Sequence, residues 1–305
     1  INELIHTLHP KNDVAHFEIR ETFLFGSGQV STAGRIALNL AYEGEGAADL
    51  PREIVLKVAR PVLGALPLYT NEVAFYTRLW PELDARVETP RCVGGVHDTK
   101  TGTFGLALED LRARGAAFSN VKTQHSIADM HSLLGSAARL HAGYWETPRF
   151  GKDLGWVQTH VDGELHAFFE HPNLVRALIR QQVADVQFKR ELVQSIEQTP
   201  DTLHAQVRRV QAHQARLPQT IVHGDMHAGN TYRLPDGTSG LVDWQLSVRG
   251  FCMHDVTYIL TTGLSVEERR RHERELLAYY LDCLRAAGVA NAPGLDAAFL
   301  EYRRA

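Results

Sequence analysis

Cysteine is scarce in this chain of 305 residues: Cys92, Cys252 and Cys283 are the only three, odd in number and far apart. No pair has metal-ligand or redox spacing, so a disulfide scaffold is not expected and a reducing cytoplasm is the natural compartment. The sequence lacks any apolar run long enough to cross a bilayer, and it lacks a secretory signal pattern. It also lacks an excess of either charge: 32 Lys and Arg stand against 36 Asp and Glu, a net of -4, which makes neither nucleic acid nor an anionic membrane an expected partner. A complete G-x-G-x-x-G is missing. Gly26-Ser27-Gly28-Gln29-Val30-Ser31 has serine at the third glycine position and opens no helix, which excludes a dinucleotide fingerprint or a Walker loop. Internal repeats and low-complexity segments are absent. The chain begins at Ile1 and stops at Ala305 without a helix-ending signal, so the natural protein is expected to extend beyond both ends.

What is present divides near residue 111. The first part alternates β-type runs with turns. Phe23-Leu24-Phe25 leads into the glycine turn. Arg35–Tyr42 alternates polar and apolar residues, Glu43–Gly46 reads as a turn, and Glu53–Ala59 reads as the next strand. Asn71–Leu79 has helical periodicity, and two further strands are expected around Arg91–Val96 and Thr103–Leu108. Residues 112–123 form a polar connector. Helical spacing then dominates, over Ser126–Tyr144, Ala167–Ala184, Lys189–Glu197, Thr202–Gln214 and Val266–Ala287, interrupted by strand-like pieces near Thr220–Val222 and Ser239–Asp243. The expected organisation is an N-terminal β-rich lobe over 1–111 and a helical lobe over 112–305, with the ligand site in the cleft between them.

The most specific stretch is Ile221-Val222-His223-Gly224-Asp225-Met226-His227-Ala228-Gly229-Asn230, followed by Gly240-Leu241-Val242-Asp243-Trp244-Gln245. Phosphoryl transfer to a hydroxyl is mostly positioning and electrostatics. It needs a carboxylate to orient the hydroxyl and take its proton, for which Asp225 is the candidate. It also needs a few oxygen ligands for magnesium, for which Asn230 and Asp243 are the candidates. Each residue alone is common in turns and caps; the three at this spacing behind an apolar strand are not. His223 and His227 flank Asp225 as zinc ligands would, but no further histidine cluster follows, so they are expected to brace the loop or touch the substrate. Upstream, Lys57 sits within an apolar strand and Glu72 follows 15 residues later on the next helix. An inward lysine needs such a partner, and it would grip phosphates. Alternatively Lys57 is an edge-strand solubiliser and Glu72 a surface charge. The glycine turn at Gly26, Ser27 and Gly28 has backbone N–H groups suited to phosphates, although by itself a plain hairpin turn is the better reading.

Taken in order, the glycine turn, Lys57, Glu72, Leu108-Glu109-Asp110-Leu111, His223-Gly224-Asp225-x-x-x-x-Asn230 and Asp243 resemble the aminoglycoside phosphotransferase and choline kinase group of small-molecule kinases, over about residues 20–305. Asn71-Glu72-Val73-Ala74-Phe75-Tyr76, Arg139-Leu140-His141-Ala142-x-x-Trp145 and Val242-Asp243-Trp244-Gln245, with Asp255 12 residues further on, look especially like the ecdysteroid-kinase-like branch. The resemblance implies an α+β, protein-kinase-like bilobal fold: a small antiparallel sheet with one helix, and a larger, mostly helical lobe. It implies ATP and Mg²⁺ as cofactors. Asp225 would be the base and His223 its loop's support. Asn230 and Asp243 would ligate Mg²⁺, and Lys57, braced by Glu72, would contact the α and β phosphates. The backbone around Glu109 and Leu111 would hold adenine, and Asp255 would stabilise the catalytic loop. Trp244-Gln245 stands where protein kinases have Phe-Gly, which argues against a regulated activation loop.

The expected function is therefore ATP-dependent phosphorylation of a small-molecule hydroxyl. The alternative is a catalytically silent nucleotide-binding scaffold of the same fold, which loss of Lys57, Asp225 or Asp243 would have supported. The acceptor is less legible. Residues 112–305 hold 21 Asp and Glu against 22 Lys and Arg, a net of +1, which does not suit a polycationic aminoglycoside. Trp145, Trp156, Phe168, Phe169 and Trp244 offer aromatics for a choline-like cation, but at helical spacing such residues more often fill cores. An apolar, aromatic or steroid-like alcohol is the expected acceptor, resting chiefly on the resemblance.

Overall fold

A computed structural model describes residues 1–23, 33–59, 67–171 and 173–305. The glycine turn at Gly26, Ser27 and Gly28 lies outside the described residues.

A short helix α1 (Asn2–Ile5) precedes strands β1 (Asn12–Phe23), β2 (Ala33–Gly44) and β3 (Glu53–Ala59). Helix α2 (Pro67–Ala74) continues through a π-helical turn at Phe75–Leu79, and strands β4 (Cys92–Asp98) and β5 (Thr103–Glu109) complete an antiparallel sheet of order β1-β2-β3-β5-β4. Alternation along the strands divides its faces. Leu38, Leu40, Ile54, Val93 and Ala107 pack with Leu4 and Ile5 of α1 on the outer face. Ala33, Phe104, Leu106 and Leu108 face the other way, towards Tyr69, Phe75, Tyr76 and Leu79 and into the main core. Lys57 is on this inner face of β3, the central strand, so it is not an edge-strand solubiliser.

The Arg35–Tyr42, Glu53–Ala59 and Thr103–Leu108 runs thus form the expected strands. The expected helix at Asn71–Leu79 begins earlier, at Pro67, and its second half is π-wound, an irregularity that often marks a functional position.

The larger lobe carries β6 (Ala117–Phe118), α3 (Ile127–Gly143), α4 (Gly163–Glu170), α5 (Val175–Asp185), α6 (Gln187–Ser195), α7 (Pro200–Gln214), β7 (Thr220–Val222), β8 (Thr231–Arg233), β9 (Ser239–Leu241), β10 (Val248–Gly250), α8 (Met253–Gly263), α9 (Val266–Ala286) and α10 (Leu295–Arg304). Ser126 caps α3 in a reciprocal box with Asp129, which fixes its start. The single helix expected over Ala167–Ala184 is two helices. His171 leaves α4 in an extended conformation, as suits a residue that precedes a proline. The strand pieces around the central loop pair with others, β7 with β10 and β9 with β8. Among the described residues no helix is long and apolar enough to cross a membrane.

The two parts meet through Trp244. Its indole is fully buried and stacks on Phe75 with centroids 4.0 Å apart, while its Nε1–H donates to Thr89 Oγ1 at 2.9 Å. Truncation would leave a large cavity and remove one of the two partners of the Thr89 hydroxyl. Trp244→Ala is expected to cost roughly 3–5 kcal/mol in chemical denaturation, and a loss below about 1 kcal/mol would show that this contact does not carry the junction.

Candidate active site

The site is built around the short turn between β7 and β8. His223 and Gly224 leave β7 with their N–H groups donated to the two oxygens of Asp255, at 2.6 and 2.9 Å. Asp255 is fully buried on α8 and also meets His141 Nε2 at 3.3 Å. Burial pushes its carboxyl up, but the hydrogen bond and charge of His141, with the neighbouring histidines, outweigh it and hold it at about 2. Gly224 turns at φ 80°, and a Cβ there would stand 1.9 Å from the Leu246 carbonyl oxygen, so only glycine fits.

His223 is fully buried. Its Nε2 lies 3.0 Å from the Val242 carbonyl, and its Nδ1 accepts the Asp225 N–H at 3.2 Å. Both ring nitrogens are thus committed to backbone, which leaves His223 as a brace with no lone pair for a metal. His227 closes the turn: Nδ1 accepts the Gly229 N–H at 2.9 Å, and Nε2 stands 3.8 Å from Asp225 Oδ2.

Asp225 is half-buried. Its Oδ2 and its carbonyl both accept from Asn230 Nδ2 at 3.0 Å, and Tyr258 supplies a further hydrogen bond. Burial is the main reason its carboxyl is pushed up from the ordinary range; the neighbouring His227 and His223 oppose this. With its nitrogen committed to Asp225, the Asn230 amide has its oxygen left to offer a cation.

Across the cleft, Lys57 Nζ donates to both oxygens of Glu72, at 2.6 and 2.7 Å, and to Asp243 Oδ1 at 3.2 Å. Burial alone would push the ammonium down; Asp243 and Glu72 outweigh it and raise it. Burial likewise pushes Asp243 up, and Lys57 outweighs it, so Asp243 is held below the usual carboxylate range. Asp243 sits at φ 67°, a left-handed conformation that aspartate tolerates better than most residues. The reversal sends its carboxylate to Lys57 while Trp244 enters the core. A Mg²⁺ site made of the Asn230 oxygen, the Asp243 carboxylate and substrate phosphates fits the few-ligand habit of that ion.

The structure therefore brings Lys57, Glu72 and Asp243 into one cluster and Asp225, Asn230 and His223 into another. The connector is less generous. The Glu109 N–H is donated to the Arg91 carbonyl at 2.8 Å, so Glu109 has no backbone donor for a base, and Leu111 opens a 3₁₀ turn capped by Asp110. Three contributors were assigned no role from sequence. Asn71 Nδ2 donates to the carbonyls of Gln245 and Ser247, at 2.9 and 2.7 Å, pinning the Glu72 helix to the turn after Asp243. His141 supports Asp255, and Tyr258 touches Asp225. His141 had a signal, a polar residue within the apolar stripe of α3. Asn71 and Tyr258 had none, because the segments they bridge lie 174 and 33 residues away.

Residues 37–291 match the model of the phosphotransferase enzyme family. No curated protein matches the chain significantly. Among solved structures, a choline kinase from Cryptosporidium parvum superposes with a TM-score of 0.53 at 10% identity, covering 97% of this chain and 79% of that one. A macrolide 2'-phosphotransferase from Brachybacterium faecium gives 0.50 at 17%, covering 95% and 83%. An aminoglycoside-3'-phosphotransferase of type VIII gives 0.50 at 19%, covering 93% and 92%. These likenesses establish the protein-kinase-like fold.

Removal of the Asp255 carboxylate would orphan two buried N–H groups. Asp255→Ala is expected to destabilise the protein by on the order of 3 kcal/mol. With a folded value of about 2 below an unfolded value of about 3.9, the stability from Asp255 is present above about pH 4 and lost as pH falls towards 2. In denaturation series the parent should therefore lose stability more steeply than Asp255→Asn over that window; parallel curves would contradict the assignment.

Proposed function

The chain belongs to the phosphotransferase enzyme family, and within that family we propose that it is an ATP-dependent kinase acting on a hydroxyl of a small molecule. The observation that carries this reading is the position of Asp225. It is a half-buried carboxylate with no salt-bridged lysine or arginine among the described residues, held by Asn230 and near enough to the Lys57–Glu72–Asp243 cluster to feel the charge of Asp243.

Asp225 orients the acceptor hydroxyl and accepts its proton. The acceptor oxygen then forms a bond to the γ-phosphorus of ATP as the bond to the ADP oxygen breaks. The raised carboxyl of Asp225 makes it a better proton acceptor than an exposed aspartate. Asn230 fixes which of its oxygens faces outward, and His223 fixes the backbone beneath it. Lys57, kept charged by its two carboxylates, holds the α and β phosphates in line. Asn230 and Asp243 would hold Mg²⁺, which would neutralise phosphate charge when bound.

The acceptor is an apolar or aromatic alcohol. The rings around Asp225 are half-buried and form a chain: His227 against Tyr258 at 5.7 Å, Tyr258 against His254 at 6.4 Å, and His254 against His160 at 4.7 Å. Burial, and then the neighbouring His254, pushes His160 down to about 3, so it is neutral. Beside the loop lies an apolar cluster of Leu68, Leu165, Phe168, Phe169 and Leu246. A neutral His160, the Tyr258 ring and these apolar side chains favour a planar or hydrophobic alcohol over a polycation, which needs carboxylates.

Asp225→Asn is expected to leave the melting temperature and ATP affinity near those of the parent while lowering kcat at least about 100-fold; near-parent turnover would remove Asp225 from the mechanism. In an acceptor panel with labelled ATP, hydrophobic and aromatic alcohols should be phosphorylated ahead of choline and aminoglycosides. Preferential phosphorylation of kanamycin would reverse the proposed specificity, and ATP binding without transfer to any acceptor would favour the silent scaffold.

A further inference from the structure

The β2–β3 register places Arg35 directly opposite Lys57, and Lys57 directly opposite Leu106 on β5. These three positions form one row across the sheet on its inner face, the face on which Lys57 reaches Glu72 and Asp243. Residues at such opposed positions stand about 5 Å apart at Cβ, and like charges there destabilise a sheet. The two cations, one buried and the other half-buried, repel each other, while Arg35 also attracts the Glu72 and Asp243 carboxylates, so the cluster sets two cations against two carboxylates. Among the described residues Arg35 has no hydrogen-bonded carboxylate of its own, whereas Arg20, Arg112 and Arg114 all do. Its charge is felt instead by Lys57, Glu72 and Asp243.

The Lys57 ammonium has a complementary shortage. Its three N–H donors face three carboxylate oxygens at 2.6, 2.7 and 3.2 Å. An incoming phosphate must displace one of these or find another donor. A guanidinium presents a planar fork that matches phosphate oxygens and needs no rearrangement of that cluster.

We propose that Arg35 is a second phosphate-binding cation of the cleft, gripping the polyphosphate of a nucleotide beside Lys57. This rests on the phosphotransferase reading above and adds to it. A polyanion lying between the two cations is attracted by both. The site thereby favours nucleotides in proportion to their phosphate charge.

The test is calorimetric titration of ATP, ADP, AMP and adenosine into the full chain and into Arg35→Gln and Arg35→Lys, with thermal melts of each nucleotide-free protein. Arg35→Gln should weaken ATP about tenfold, the loss of one charge-assisted contact, and should weaken AMP less and adenosine not at all. Its nucleotide-free melting temperature should stay close to that of the parent, because the repulsion of Lys57 and the attraction to Glu72 and Asp243 are lost together. Arg35→Lys should recover part of the ATP affinity. Unchanged ATP affinity in Arg35→Gln, or equal weakening of ATP and adenosine, would overturn the proposal while leaving the phosphotransferase reading intact. Failure of the unsubstituted protein to bind ATP would overturn both.

Discussion

The buried ammonium of Lys57 is the constraint on which the site depends. An unpaired charge in that position would be prohibitive, and removing one partner from such a pair typically costs about 3–5 kcal/mol. Glu72 comes from the helix after β3 and Asp243 from the turn after β9, so the two partners tie the sheet, its helix and the larger lobe together. The other contacts across the junction follow the same line. Asn71 holds the Glu72 helix to the chain just beyond Asp243, and Trp244 anchors that chain in the core against Phe75. The left-handed backbone at Asp243 directs its carboxylate towards Lys57 while the next residue is buried.

A second rigid unit lies beneath Asp225. Asp255 fixes two consecutive N–H groups, His223 spans from the loop to Val242, and His254 reaches the Gly224 carbonyl. Everything under the loop is hydrogen-bonded and buried; the Asp225 carboxylate above it is half-exposed. In the proposed mechanism this layout serves a positioned base, set on a loop whose backbone is fixed by hydrogen bonds. Histidine serves the scaffold here because its two ring nitrogens can reach two partners at once.

Much of this was legible in the sequence because it depends on short-range patterns. Glu53–Ala59 reads as a strand from its alternation and is one, and the inward Lys57 calls for a carboxylate, which Glu72 provides. The His223–Asn230 loop, with Asp243 beyond it, is compact enough in sequence for its residues to be found together. What escaped depends on distance along the chain or on local exceptions to periodicity. Helix α8 carries Asp255 and Tyr258, yet its threonines and its length of 11 residues give little helical signal against the strands that precede it. The π-wound turn at Phe75–Leu79 preserves an apolar pattern that reads as ordinary α-helix. The merging of α4 and α5 into one helix ignored the restriction that Pro172 places on His171. Arg35 had no reading beyond its place in an alternating strand; its register against Lys57 puts it on the same face as that lysine.

The charges of the cleft unify these features. Two carboxylates and two cations meet on the inner face of the sheet, with Asp225 and the oxygen of Asn230 opposite them. Such a site takes a polyphosphate best together with a divalent cation, because the cation relieves repulsion between the phosphates and the carboxylates Asp243 and Asp225. The most direct test is calorimetric titration of ATP into the unsubstituted protein with Mg²⁺ and with EDTA. Binding at least about tenfold tighter with Mg²⁺, a difference of about 1.4 kcal/mol, is predicted. Equal affinity in the two conditions, or no binding in either, would contradict the account.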